Sequence, residues 1–273
     1  MARLVRLPGA ALGDRVGLLP PFVAAAVAAW GFARGFRRLR GRGRADHAAW
    51  WRAATFGAAV ALGLAALLSP LDRIAEESLL SAHMLQHVVV GDLVPALLVL
   101  PLRGPLCAFV VPARLGRAVA SVHPVAALAL WAASLAVWHV PAVYDAAASN
   151  TVLHDAEHAC FFAAGMLAWS QLLDPLRRGA LGLWGSLGFA LALLTAGQIL
   201  ANTLVLTDTL LYPAYAHPER PLAWLSPRTD QDLAGIVMMV EQVLVLGTYA
   251  VWRLRGSLRA APALAPERHP LAS

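Results

Sequence analysis

Long apolar segments alternate with short polar connections along most of the chain. A helix that crosses a membrane needs about 20 mostly apolar residues, and seven segments come close to that length. The first is the weakest because Gly31, Arg34 and Gly35 interrupt its end. The pattern predicts an all-α fold, a membrane bundle of seven transmembrane helices. These cover residues 18–36, 49–68, 79–100, 122–140, 152–173, 181–206 and 232–252.

The composition agrees with a membrane protein and argues against two other classes, soluble domains and nucleic-acid-binding proteins. Hydrophobic residues make up 59% of the chain and charged residues 14%, with a mean hydropathy of +0.62. Soluble domains have roughly 45–50% apolar and about 25% charged residues. The net charge of +6 comes from arginines between apolar segments, with no basic stripe of the kind that binds nucleic acid. We therefore expect membrane lipid, and no nucleic acid, around this chain.

The distribution of arginines predicts the orientation of the bundle. Sixteen arginines fall in connections or in the adjoining helix ends on one side of the predicted bundle, and six fall in connections on the other. Because positive residues are retained on the cytoplasmic side, the N-terminus is predicted outside a bacterial plasma membrane and the C-terminus inside. The predicted organisation is an extracytoplasmic tail over residues 1–17, the helix bundle over 18–253 and a disordered cytoplasmic tail over 254–273.

Five histidines fall at the outer ends of three predicted helices. His83 and His87 open the third segment in the stretch HMLQH, and His139 closes the fourth. His154 and His158 open the fifth segment. Residues four apart on a helix share one face, and imidazole suits copper, zinc, iron and nickel. The sequence therefore predicts a metal site on the extracytoplasmic side with these five ligands, and the spacing alone does not select copper over zinc.

Six further residues are candidates to support this site. Glu157 lies three residues after His154 and could orient an imidazole. In the alternative interpretation, it is a carboxylate near a helix N-terminus that interacts favourably with the positive end of the helix dipole. Methionine thioethers suit copper(I), while methionine in a membrane helix commonly serves packing. Polar residues that open the seventh segment are ligands in one interpretation and helix caps in the other. The six candidates are Glu157, Asp230, Gln231, Asp232, Met84 and Met238.

The remaining titratable residues fit the site less well. His47, His123 and His269 fall on the predicted cytoplasmic side, and His217 lies in an outer loop. Glu241 lies near the middle of the seventh segment, where a carboxylate must be protonated or paired. We predict no metal ligand among these five residues.

Three stretches together resemble a known family. They are HMLQH in the third segment; WHVPAVYDAA running through LHDAEHACFF to WSQLLDP; and LYPAYA followed by DQDLAGIVMM. In order and spacing, over about residues 80–250, they resemble the CtaG family of multi-span assembly factors for caa-type cytochrome c oxidases. The chain departs from the family pattern after Met239, where Val240, Glu241 and Gln242 replace the usual Pro and Gly.

The resemblance implies a function as well as a fold. It implies a membrane-embedded factor, without enzymatic activity, that acts on cytochrome c oxidase subunits and provides copper to their metal centres. The positions that match the family pattern are His83, His87, His139, His154, His158, Asp230, Gln231 and Met238.

Other functions stay open at this point. A membrane zinc hydrolase would use three histidines and an open water position, with Glu157 or an aspartate as general base, but the sequence has no HExxH or serine nucleophile motif. A haem-binding electron carrier would use axial histidines from facing helices. The histidines could also be purely structural in a scaffolding protein.

Overall fold

The fold is helical throughout the part of the chain that the structure describes. This computed structural model describes residues 10–69, 72, 74–75, 78–176, 179, 181–216 and 224–260, with side chains described between residues 22 and 259. Every regular element in these ranges is helical, which confirms the all-α prediction. In chain order the α-helices are α1 (Ala10–Gly41), α2 (Trp50–Leu68), α3 (Leu80–Val88), α4 (Val94–Val99), α5 (Cys107–Val110), α6 (Ala113–Ser121), α7 (Pro124–Trp138), α8 (Pro141–Ser149), α9 (Thr151–Leu173), α10 (Leu183–Leu206) and α11 (Pro227–Ala260). The shorter turns are a π-helical turn at Val89–Leu93 and 3₁₀ turns at Leu100–Leu102, Gly104–Leu106 and Pro213–Tyr215.

Several of these helices are long and apolar enough to cross a membrane. Four meet the requirement: α2, the run Leu80–Leu102 that contains α3 and α4, helix α10, and Pro227–Arg259 of α11. Helices α6 and α7 meet at 94° and form a fifth span if they are counted together. Helix α9 has the length of a span, but its first half carries imidazole and carboxylate side chains. The described residues thus contain four or five candidate spans, and the set of seven with its orientation stays a prediction.

Helix α9 crosses the π-helical turn that follows α3 at close backbone distance. A β-carbon placed on Gly165 of α9 would lie 1.9 Å from the carbonyl oxygen of Gly91. A β-carbon on Gly91 would in turn meet the Phe161 side chain at 3.1 Å. Only glycine permits this approach, which fixes the faces of the two helices that carry the histidine pairs.

Helices α10 and α11 form the most extensive helix–helix contact among the described residues. A β-carbon on Gly235 would lie 2.7 Å from the Ala201 carbonyl oxygen, so this crossing also depends on a small residue. Across the same interface, the Gln198 amide donates a hydrogen bond of 3.2 Å to the carbonyl of Met239. Such interhelical hydrogen bonds stabilise helix pairs in a membrane, and here they fix the helix that lies beside α3.

Both ends of the bundle differ from the sequence prediction. Helix α1 begins at Ala10 instead of residue 18, and α11 continues to Ala260. Residues 254–260 are therefore helical and not part of a disordered tail. The final turns of α11 contain Arg253, Arg255 and Arg259. Their positive charges interact favourably with the negative C-terminal end of the helix dipole, which stabilises the helix beyond its apolar part. Residues 1–9 and 261–273 lie outside the described residues.

Candidate metal centre

Three helices bring the five predicted histidines into one buried cluster. His83 and His87 project from α3, His154 and His158 from α9, and His139 follows the last residue of α7. All five side chains are 2–7% exposed. Within each pair the ring centroids are 4.2 Å apart on α3 and 4.4 Å apart on α9. Between the helices, His83 lies 5.3 Å from His154, and His87 lies 5.3 Å from His158.

The donor atoms of this histidine cluster, together with Glu157, are close enough to surround an ion. One group of three consists of His83, His154 and His158, and another of His83, His87 and Glu157. Within each group the donor atoms all lie within 4.8 Å of one another. Ligands about 2.0–2.1 Å from a tetrahedral metal lie roughly 3.3 Å apart, so a small inward movement would complete either set.

Several of these donor atoms are buried without a hydrogen bond. They are Nε2 of His83, both ring nitrogens of His87, Nε2 of His158 and Oε1 of Glu157, counted within the described part of the chain. Two of them, His87 Nε2 and Glu157 Oε1, lie 3.6 Å apart. Buried polar atoms are almost always hydrogen-bonded, and leaving one unsatisfied costs about 1–3 kcal/mol. A group of such atoms around one point fits a bound metal ion.

A tyrosine sets which nitrogen of His83 faces the cluster. The Tyr215 hydroxyl donates to the Ala75 carbonyl at 2.8 Å and lies 2.9 Å from His83 Nδ1. Because a phenol has one hydrogen, Nδ1–H of His83 is the donor in the second contact. The lone pair of a neutral ring is then on Nε2, which is buried without a hydrogen bond within the described residues. His83 belongs to both donor groups. A hydrogen bond of this kind to the far nitrogen is usual for metal-binding histidines.

His139 occupies the edge of the cluster and faces a thioether. Its ring is 6.2 Å from that of His87. Its Nδ1 lies 2.9 Å from the Leu135 carbonyl oxygen, and its Nε2 lies 3.4 Å from Sδ of Met84. Met84 is fully buried. Of the two methionines that the sequence singled out, Met84 contacts a cluster imidazole, whereas Met238 packs in the neighbouring apolar core.

The polar residues at the start of α11 have structural partners. Asp230 accepts hydrogen bonds from the backbone N–H groups of Leu80 and Ser81, and also from the Ser81 hydroxyl. It therefore caps α3, the helix that presents the first histidine pair. Gln231 accepts from the Leu211 N–H and donates to the carbonyls of Leu204 in α10 and Thr209 in the following loop. Asp232 forms an ion pair of 3.1 Å with Arg228.

Three tyrosines that the sequence reasoning did not select surround the cluster. Tyr144 packs 5.3 Å from the His83 ring and 4.1 Å from Tyr212, and its hydroxyl donates to Tyr215. The Tyr212 hydroxyl donates to the backbone carbonyl of His139 at 2.9 Å. Burial raises the pKa of Tyr144 and of Tyr212 above the ordinary value, so both remain protonated donors. Tyr212 and Tyr215 lie in the stretch LYPAYA, which contributes to the family resemblance and could have indicated that they belong to the site.

The other singled-out titratable residues lie away from the cluster or outside the described ranges. His47 pairs with Asp46 at 3.2 Å, and the His123 side chain accepts from a backbone N–H at the start of α7. His217 and His269 lie outside the described residues. Glu241 lies beside Asp92 of the π-helical turn, and Asp92 accepts a hydrogen bond from the Trp169 indole.

Together, the apolar helices and the buried imidazoles define a helical membrane protein with a candidate metal centre. The chain belongs to the family of cytochrome c oxidase caa3 assembly factors (Caa3_CtaG), whose model matches residues 30–260. This range contains all five clustered histidines and confirms the resemblance found in the sequence. No curated protein and no solved structure matches the chain.

Proposed function

We propose that this protein assists assembly of a cytochrome c oxidase by binding copper in its histidine cluster and passing the ion to an oxidase metal centre. Membership in the caa3 assembly-factor family supports the assembly role and gives no indication of catalysis. The observation that carries the copper proposal is the two overlapping groups of buried donor atoms, within each of which all the atoms lie within 4.8 Å of one another. Donor atoms of His83, His87, His158 and Glu157 in these groups have no hydrogen bond within the described residues.

The number of donors suits an ion that is cargo. Four imidazoles and one carboxylate form the two groups, and His83 belongs to both. A structural ion needs a closed set of about four ligands. An additional donor lets an incoming ligand from a partner replace one bond at a time while the ion stays coordinated. Among divalent first-row metals, copper binds nitrogen donors most tightly, which favours it as the cargo.

The proposed orientation places the cluster near the extracytoplasmic surface. His83 and His87 lie in the first turns of the candidate span Leu80–Leu102. The excess of arginines in alternate connections predicts that this end faces outward. We propose seven crossings with the N-terminus outside, an arrangement in which an oxidase subunit could approach the cluster from the extracytoplasmic side of the plasma membrane.

The metal content of the oxidase in living cells tests the proposed function. We expect membranes from cells that carry His83→Ala/His87→Ala to contain caa3-type oxidase with its haem but with reduced copper, and added copper in the medium should partly restore it. A matched strain with His47→Ala/His123→Ala, which alters two histidines outside the cluster, should retain normal copper. Full copper loading in the first strain would contradict the proposal.

One observation favours haem binding as a second candidate function. An apolar cavity of about 710 Å³ lies between α1, α2, α4 and α9, and His158 lines it. An imidazole at the wall of an apolar cavity is the arrangement that an axial haem ligand requires. A visible Soret band that is lost in His158→Ala would support this candidate. Protein purified from haem-replete cells without such a band would contradict it.

A further inference from the structure

We infer that Met84 Sδ and His139 Nε2 form a copper(I) ligand pair at the edge of the histidine cluster, so that the protein carries copper in its reduced state. This inference rests on the proposed copper function and adds the oxidation state and a sulfur ligand. The geometry of two atoms carries it.

The hydrogen-bond partner of His139 fixes where its ring proton lies. Its Nδ1 is 2.9 Å from the backbone carbonyl oxygen of Leu135. A carbonyl oxygen only accepts hydrogen bonds, so Nδ1 carries the hydrogen. In a neutral ring, Nε2 then has a lone pair and no hydrogen. Burial favours the neutral form because the ring is 5% exposed and no carboxylate is bonded to it among the described residues.

The atom that faces this lone pair also lacks a hydrogen. Sδ of Met84 lies 3.4 Å from His139 Nε2, and a thioether sulfur has only lone pairs to offer. No proton therefore bridges the contact. Two lone pairs directed at each other inside a packed protein are unfavourable, and a cation between them removes the conflict.

The separation agrees with two ligands on one metal. Bonds of about 2.0 Å to nitrogen and about 2.3 Å to sulfur, with an angle of roughly 105° between them, place the two atoms about 3.4 Å apart. The observed distance is 3.4 Å. The pair can therefore chelate an ion with little movement, and the neighbouring His87 ring, 6.2 Å from His139, is the nearest cluster imidazole to complete the coordination.

The thioether supplies a selectivity that the imidazoles lack. Imidazole binds copper and zinc, whereas a soft sulfur ligand favours copper(I) over zinc. Met84 follows His83 by one residue on α3, so it points about 100° around the helix from that histidine and meets α7 instead of α9. A copper(I) ion at this edge would therefore connect α3, through Met84, to His139 at the end of α7.

Met238 offers a matched control for the experiment. Met238 is 4% exposed and packs in the same apolar core as Met84. Within the described residues, the sulfur–imidazole contact is made by Met84 and not by Met238. The full chain would be purified as the wild type, Met84→Leu and Met238→Leu, reduced, and loaded with copper(I). Copper K-edge X-ray absorption and competition with a chromophoric copper(I) chelator would then be measured, with zinc affinity as a separate measurement.

We expect a sulfur neighbour of copper in the wild type and in Met238→Leu, and none in Met84→Leu. Affinity for copper(I) should fall about tenfold or more in Met84→Leu, with zinc affinity nearly unchanged. Selenomethionine-labelled wild-type protein gives a test that needs no substitution, because a selenium neighbour should replace the sulfur in the copper spectrum.

The possible failures are distinguishable. A wild-type spectrum with nitrogen neighbours alone, or a sulfur signal that persists in Met84→Leu, would overturn the inference and leave the proposed copper function in place. A wild-type protein that binds no copper would overturn both.

Discussion

His87 and Glu157 face each other across the interface of α3 and α9, with Nε2 of His87 3.6 Å from Oε1 of Glu157. Both side chains are almost completely buried, and neither atom has a hydrogen bond within the described residues. A buried carboxylate and imidazole at this distance can either share a proton or hold a cation between them. We propose that a metal ion occupies the space between these two atoms.

Replacement of Glu157 by glutamine tests the contribution of its charge. Glutamine has nearly the same shape but provides no negative charge to a divalent ion. We expect the affinity for zinc and copper(II) to fall by roughly tenfold, measured by competition with a metal indicator. The control is Asp232→Asn, which makes the same kind of change at a carboxylate that is about one third exposed and paired with Arg228. Unchanged affinity in Glu157→Gln would exclude the carboxylate from the site.

Tyr215 should influence metal binding through His83. The substitution Tyr215→Phe removes the hydroxyl that holds the Nδ1–H of His83, and we expect metal affinity to fall about 10–100-fold. Tyr212→Phe removes a hydroxyl that bonds to the His139 backbone, so its effect on metal affinity should be smaller. Equal affinities in the two variants, by isothermal titration, would show that the Tyr215 hydroxyl does not orient the imidazole.

Asp230 should contribute more to stability than its neighbour Asp232. Asp230 is fully buried and caps α3 with two backbone hydrogen bonds, so Asp230→Ala should lower the free energy of unfolding by about 1–3 kcal/mol. The ion pair of Asp232 is about one third exposed, and exposed pairs contribute only about 0–1 kcal/mol. Unfolding of both variants in detergent measures the difference. A larger loss in Asp232→Ala would contradict the capping role.

The crossing of α3 and α9 should tolerate no side chain at Gly165. A β-carbon there would overlap the carbonyl of Gly91, so Gly165→Ala should destabilise the protein and disturb the nearby cluster. A β-carbon on Gly188 of α10 would meet no atom within 4 Å, so Gly188→Ala should be neutral or stabilising by up to about 1 kcal/mol. Thermal unfolding separates the two, and equal stability would contradict the close crossing.

The predicted orientation can be tested with single cysteines. In a background where Cys107 and Cys160 are replaced by serine, Ala148→Cys lies on an exposed part of α8 and Arg42→Cys lies after α1. We expect a membrane-impermeant maleimide to label residue 148 in intact spheroplasts and residue 42 only after lysis. The reverse pattern would place the histidine cluster on the cytoplasmic side.

Much of the site can be predicted from the sequence because helical periodicity is a local property. His83 and His87, and likewise His154 and His158, share a face through i and i+4 spacing alone, and the arginine pattern suggests that both pairs lie on one side. The contact between the pairs depends on Gly91 and Gly165, whose close approach is visible only in three dimensions.

Other features cannot be predicted from local pattern. Tyr215 reaches His83 across 132 residues of chain, and Asp230 caps a helix that begins 150 residues earlier. The sequence singles out Asp230 as a polar residue near the site, but its partners depend on the packing of α11 against α3. Glu241 is unusual in the sequence as a carboxylate within an apolar segment, and its neighbour Asp92 emerges only from the contact between two separate spans.

The metal content and copper affinity of the purified, reduced protein show whether the histidine cluster binds copper. The wild type would be compared with His83→Ala/His87→Ala, with His154→Ala/His158→Ala, and with the control His47→Ala/His123→Ala, each checked for folding in detergent. We expect the wild type and the control to bind copper and both cluster variants to lose it. Absence of copper in the wild type, or copper binding that survives in both cluster variants, would contradict this expectation.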